Sequence, residues 1–239
     1  MKNRNRKWVE RLAVSLVRAL NVSGVPQTKT VLYARLWHRP GVPWTVSALA
    51  EATSLDRASV REHLKNFPTD HIIRTEKGIV LTEEGERAAY RVTQRFYKGI
   101  AAEDRYYIKQ FFSTKYAGQL PYRKLSEFFV DLDRCTRRVP ASIAFRTVLT
   151  TMDMMAPKGT QWTISQLSEE TAFSYQAVHK VLSQIVEQGL ARKTGKTFSI
   201  TTRGRVKCVM FFFAAIKRAD MRLLKILMEM ILFHNPPRK

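Results

Sequence analysis

Shifted by 118 residues, the segment Trp44–Leu64 (WTVSALAEATSLDRASVREHL) falls on Trp162–Leu182 (WTISQLSEETAFSYQAVHKVL), with eight of 21 positions identical. An internal repeat of this kind restricts the chain to folds built from two copies of one unit. The match extends beyond its core. Downstream, with one added residue, Leu81-Thr82-Glu83-Glu84-Gly85 meets Ile200-Thr201-Thr202-Arg203-Gly204. Upstream, Val25-Pro26 pairs with Val139-Pro140 once four residues near Ala156–Gly159 are treated as an insertion. Further back, Arg6-Lys7 and Glu10 match Arg123-Lys124 and Glu127. Four anchors in one order predict a duplication with halves of 1–118 and 119–239.

Each half carries the same series of local signals. Gln27–His38 reads as a helix, with Val31, Leu32, Ala34, Leu36 and Trp37 apolar, and Pro40-Gly41-Val42-Pro43 ends it. Thr45 is placed to cap a helix that turns Val46, Leu49 and Ala50 inward; the copy, Thr163-Ile164-Ser165-Gln166, has the pattern of a capping box. After a tight turn at Thr53-Ser54-Leu55, Asp56 caps a second helix through Phe67, with Val60, Leu64 and Phe67 at helical spacing. In the copy Ser174 is the cap, and Val178, Leu182 and Ile185 are the stripe. A short hairpin follows in both halves, Ile72–Leu81 and Leu190–Ile200, with Gly78 and Gly195 in the turns. Each hairpin runs into a helix that opens with Thr-x-x-Gly. Two helices joined by a short turn and followed by a hairpin predict a winged helix-turn-helix, at about 26–88 and again at about 140–206.

That order, closed by LTEEGERAA in the first copy and ITTRGRVKC in the second, resembles the MarR family of bacterial regulators. The resemblance covers each half almost end to end and implies flanking helices that form a dimerisation region. Such helices are present twice. Lys7–Leu20 sets Trp8, Leu12, Leu16 and Leu20 on one stripe, and Tyr122–Arg137 sets Leu125, Phe128, Phe129 and Leu132. After the hairpins come Glu83–Lys98 with Asp104–Tyr116, and Thr202–Lys217 with Met221–Phe233. The last of these is apolar almost all round, which predicts burial in an interface. The expected fold is mainly α with small β-hairpin wings: two winged units joined by a helical, dimerisation-like region folded within one chain. The resemblance implies location in the bacterial cytoplasm, on nucleoid or plasmid DNA. It leaves room for a small-molecule effector and for a true homodimer through the terminal helices.

Charge points to the partner. With 41 Lys+Arg against 20 Asp+Glu the chain carries +21, spread along its length rather than gathered in a tail. An anionic partner is the means of neutralising such a field, and nucleic acid is the commonest. A winged unit lays its second helix in the major groove of double-stranded DNA. The candidates for contact in the first copy are therefore Arg57, Ser59 and Arg61, with Lys65 toward phosphate. In the second copy they are Tyr175, Gln176, His179 and Lys180. Arg pairs with two acceptors of guanine and Gln with adenine, so the two copies are expected to read different half-sites, one helical turn apart. Arg192, Lys193 and Lys196 form a basic second wing; Arg74 and Lys77 form a weaker first one, diluted by Glu76. Thr45, Ser47, Thr163 and Ser165 stand at helix N-termini, where they either cap the helix or meet phosphate.

Other classes find little support. His38, His63, His71, His179 and His234 show no metal-ligand spacing, no phosphate-binding glycine loop is present, and no carboxylate pair stands apart from solvated acidic faces such as Glu83-Glu84-Glu86. No enzyme activity, metal or cofactor is expected. The Arg-rich amphipathic start matches a transit peptide as well as a structural helix; its reappearance at Tyr122–Arg137 favours the helix, and Glu10, Arg11 and Arg18 break any secretory apolar core. Met221–Phe233 is too short to span a bilayer. Cys135 and Cys208 are expected as buried free thiols. The leading expectation is a sequence-specific transcription regulator; a plasmid or phage replication initiator and an architectural DNA-binding protein are the alternatives.

Overall fold

The computed structural model describes residues 3–22, 24, 26–118, 121–137, 139–154 and 160–234. Among these the chain is mainly helical, with two small antiparallel hairpins. In order, the elements are α1 (Asn3–Val22), α2 (Gln27–His38), α3 (Val46–Thr53), α4 (Arg57–Lys65), β1 (Ile72–Thr75), β2 (Gly78–Leu81), α5 (Glu83–Gly99), α6 (Ala102–Lys115) and α7 (Tyr122–Arg137). They continue as α8 (Ile143–Met154), α9 (Ile164–Thr171), α10 (Tyr175–Glu187), β3 (Ala191–Thr194), β4 (Thr197–Ile200), α11 (Thr202–Ile216) and α12 (Met221–His234). The insertion read near Ala156–Gly159 lies outside the described residues.

The chain forms two compact units: 23–137, and 138–239 together with 1–22. These units cut across the sequence repeats, because the first helix of each repeat packs in the unit of the other. Helix α1 lies against α8 and α9, and α7 lies against α2, α3 and α5. Burial also sets the register of the exchanged helices. Val9, Leu12, Leu16 and Ala19 are the buried stripe of α1, and Leu125, Phe128, Leu132 and Cys135 are that of α7, an offset of 116. Helices α2 and α8 correspond at the same offset, Gln27 onto Ile143 and His38 onto Met154. Short identities such as Val-Pro at 25 and 139 suggest a shift of 114; the buried stripes override them, because a run of packed helical positions constrains register more tightly than a single dipeptide does.

Within unit 23–137 the core gathers Leu32, Leu36 and Trp37 of α2, Leu49 of α3, Val60 and Leu64 of α4, Phe67, Ile72, Ile79 and Leu81 of the hairpin, and Ala89 of α5. The core of the other unit repeats it with Val148, Leu149, Met152, Leu167, Val178, Leu182, Ile185, Phe198 and Cys208. Helix α4 ends at Lys65 rather than Phe67; Phe67 is still buried, stacked on Tyr33 with ring centroids 4.4 Å apart. Burial pushes the Tyr33 phenol up to about 12, so it is neutral at physiological pH, and its hydroxyl shares a 2.5 Å hydrogen bond with His71 Nδ1. Both cysteines are buried thiols outside any disulfide. Helix α12 buries only Leu223, Leu227 and Met230; Met221, Met228, Leu232 and Phe233 face solvent.

Three backbone devices recur in both units. Trp44 exchanges N–H and C=O bonds with Ile79, and Trp162 with Phe198, which adds a one-residue third strand to each hairpin. The helix–helix turns pass through left-handed residues, Ser54 at φ 54° and Ala172 at φ 55°. The Thr-x-x-Gly motif fastens each hairpin to the following helix. The Thr82 hydroxyl caps Gly85 N–H at 3.0 Å and Thr82 N–H donates to the His71 carbonyl; Thr201 does the same for Gly204 and Leu190.

A Cβ on Gly85 would stand 2.0 Å from the His71 carbonyl oxygen, and one on Gly204 2.1 Å from that of Leu190. Both clashes are with backbone, which cannot turn aside. Gly204→Ala should therefore cost ~3 kcal/mol, whereas the exposed Arg203→Ala should stay within about 0.5 kcal/mol. Thermal unfolding of the two variants checks this, and equal midpoints would refute the close approach.

Candidate functional site

In unit 23–137 the second helix, α4, shows solvent one continuous face. Arg57, Arg61 and Lys65 are exposed on it together with Ala58 and Glu62, while Ser59 is half-buried. The face exists because Val60 and Leu64 turn the opposite side into the core. Its start is held by Asp56, whose Oδ1 accepts the Ser59 N–H at 2.7 Å. That backbone bond holds the Asp56 carboxyl below its usual range. Ser59, expected at a contact position, therefore has its backbone N–H engaged in the cap. The hairpin tip, Glu76-Lys77, is exposed. Arg74 is also exposed, but its Nη2 donates to the Leu64 carbonyl at 3.1 Å, so it ties the hairpin to the end of α4. Nothing in the sequence pattern distinguishes that tie from a free cation.

The unit formed by 138–239 and 1–22 presents the corresponding face on α10. Tyr175, Gln176, His179 and Lys180 are all exposed, with Ser183 and Gln184 continuing the face one turn further. Ser174 caps the helix through the Ala177 N–H at 3.2 Å. On the hairpin Arg192, Lys193 and Lys196 are exposed, the last within the two-residue tip Gly195-Lys196. Here the hairpin register puts Arg192 where the first copy has Ile73, so this hairpin carries three cations where the other carries two and an exposed isoleucine. Each half's expected residues thus lie within one unit, on its polar helix and on its hairpin.

The helix starts before these faces are already occupied. Thr45 accepts the Ala48 N–H at 3.1 Å, and Thr163 completes the capping box, receiving the Gln166 N–H at 3.2 Å while its own N–H donates to Gln166 Oε1 at 2.9 Å. Capping is the role the structure gives these two threonines; Ser47 and Ser165 beside them remain exposed. A residue that the sequence pattern does not single out is Lys29, on α2, whose Nζ stands 5.8 Å from the Phe67 ring centroid. Its counterpart in the 116 register is the buried Phe145, so no repeated pattern marks it. Among the described residues no group of three or more His, Cys, Asp or Glu could hold a metal ion, and no helix is long and apolar enough to cross a membrane.

The Asp56 cap gives a pH signature. A carboxyl held low in the folded state adds stability above its unfolded value, near 3.8, and loses that stability as pH falls through the lower folded value. Asp56→Asn keeps an acceptor at the cap without the charge. Thermal melts from neutral pH down into the acid range should show the variant below wild type at neutral pH, with the two curves converging at the acid end. Parallel curves would exclude the charged cap.

Compared with known families and curated proteins, the sequence matches no family model and no curated protein.

Proposed function

We propose that the chain is a non-catalytic, sequence-specific double-stranded DNA-binding protein, a transcription regulator, in which α4 and α10 are the recognition helices of two MarR-like winged helix-turn-helix units. The observation that carries this reading is the repeated pairing of a polar, exposed second helix with an exposed hairpin tip, in a chain of net charge +21. A helix of this width fits the major groove, and a two-stranded tip fits the backbone beside it.

The two heads divide the work differently. On α4, Arg57 and Arg61 offer bidentate contacts suited to guanine, and Lys65 lies along the helix toward phosphate. On α10, Gln176 suits adenine, Tyr175 suits a thymine methyl or a phosphate, and His179 and Lys180 extend the polar face. The wing at Arg192, Lys193 and Lys196 supplies most of the electrostatic grip, since Arg74 is tied back to Leu64 and Glu76 offsets Lys77. Different side chains at equivalent positions favour an operator whose half-sites differ.

Fluorescence anisotropy on a bound duplex across a salt series tests the assignment. Arg192→Ala/Lys193→Ala/Lys196→Ala should weaken binding on every sequence. It should flatten the log–log salt slope by roughly 0.9 for each phosphate that is no longer neutralised. Arg57→Ala should instead cost about 1–3 kcal/mol on the preferred duplex and little on a non-specific one. Unchanged affinity and slope in the triple variant would overturn the proposed interface.

A further inference from the structure

Helices α1 and α7 are homologous, and each has two places to dock. Four residues join α1 to α2 and five join α7 to α8, ordinary lengths for helices that pack on their neighbours. Local closure would therefore be the short-range solution. Instead α1 packs on α8 and α7 on α2.

We propose that two buried pairs, Arg35–Asp131 and His38–Glu127, are the recognition element that assigns α7, and not α1, to the surface of α2. Arg35 Nη2 lies 2.7 Å from Asp131 Oδ1, with side chains 8% and 6% exposed. One turn on, His38 Nε2 lies 2.8 Å from Glu127 Oε1, a carboxylate only 1% exposed, which Lys124 Nζ also approaches at 3.5 Å. In the 116 register set by burial, α1 carries Ser15 where α7 has Asp131 and Arg11 where it has Glu127. Helix α8 carries Thr151 for Arg35 and Met154 for His38. The charges are present in one helix pair and replaced in both partners of the other.

Local closure would break both complements. With α1 on α2, Ser15 would meet the Arg35 guanidinium without supplying a negative charge, and Arg11 would approach His38. With α7 on α8, Asp131 would meet Thr151, whose hydroxyl already donates to the Thr147 carbonyl at 2.8 Å, and Glu127 would meet Met154. A buried ion pair adds little net stability, but a buried charge without its partner is strongly unfavourable, so such pairs act best as selectors between alternatives. A neighbouring contact is permissive by comparison. Arg123 of α7 stands 5.2 Å from the Trp37 ring and bonds Glu86 at 3.0 Å, and Lys7 of α1 reaches the Asp153 carbonyl at 3.4 Å. Both helices bring a cation there, so that position does not discriminate.

Photo-crosslinking in the full chain tests the selector. Benzoylphenylalanine placed at the exposed Val22 adjoins Asn21, whose amide bonds the Thr171 carbonyl at 3.1 Å. Wild type should capture peptides from 160–174 alone. The variant Arg35→Thr/His38→Met/Glu127→Arg/Asp131→Ser makes the two docking surfaces alike at these positions. It should capture 44–56 as well, with at least a roughly tenfold gain. Asp131→Ser alone should lower the unfolding midpoint by ~10 °C, and Arg35→Thr/Asp131→Ser should recover more than half of that loss. The crosslink is read in the quadruple and the double variant, so whichever folds decides. Capture confined to 160–174 in both, or additive losses from Arg35→Thr and Asp131→Ser, would overturn the proposal.

Discussion

The packing of α7 on α2 interlocks the two sequence repeats, because it joins the start of the second repeat to the first compact unit. Around it Val31, Ala34 and Val130 form a small buried cluster. Gln27 bonds Asp133 at 2.5 Å near one end, Arg35 meets Asp131 in the middle, and His38 meets Glu127 at the other end. Neither half of the chain owns a complete unit. Each unit takes its missing helix from the other repeat, so the parts that present α4 and α10 are made from interlocked sequence rather than from two independent beads.

Against that shared scaffold, the two copies diverge in what faces outward as well as at the charged pairs of the α2–α7 contact. The bridge at Trp44 and Trp162, the left-handed turns at Ser54 and Ala172, and the Thr-x-x-Gly junctions are held at matching positions because each satisfies backbone geometry that few substitutions allow. The exposed faces of α4 and α10 share almost nothing in side-chain chemistry. A similar divergence occurs on the helix after each hairpin. Arg87 and Arg91, ion-paired with Glu83 and Glu84 on α5, give way to Val206 and Met210 on α11. Two copies with one framework and different outer chemistry are consistent with the proposed reading of a duplex whose half-sites differ.

Much of this is legible in the sequence. The capping residues Thr45, Asp56, Thr163 and Ser174, the hairpins and their glycines, and the α2 span from Gln27 to His38 all follow from local rules and appear as expected. The exchange of α1 and α7 is not legible, since the two helices show similar apolar stripes and nothing local says which unit a stripe will meet. Asp131 and Glu127 look like members of a solvated face until α2 is laid against them. Arg74 reads as a DNA-facing residue because a cation near a hairpin tip looks the same in sequence whether it reaches outward or back to a helix carbonyl. Helix α12 reads as apolar almost all round, and its stripe of Leu223, Leu227 and Met230 is the part buried within the chain.

The most direct test of the central claim, that two different faces read one duplex, is selection of bound sequences from a random double-stranded pool at physiological salt. The predicted result is one asymmetric consensus with two unlike half-sites. Gln176→Ala should relax one of them and leave the other as it was. A strict inverted repeat, or no enrichment over the starting pool, would contradict it.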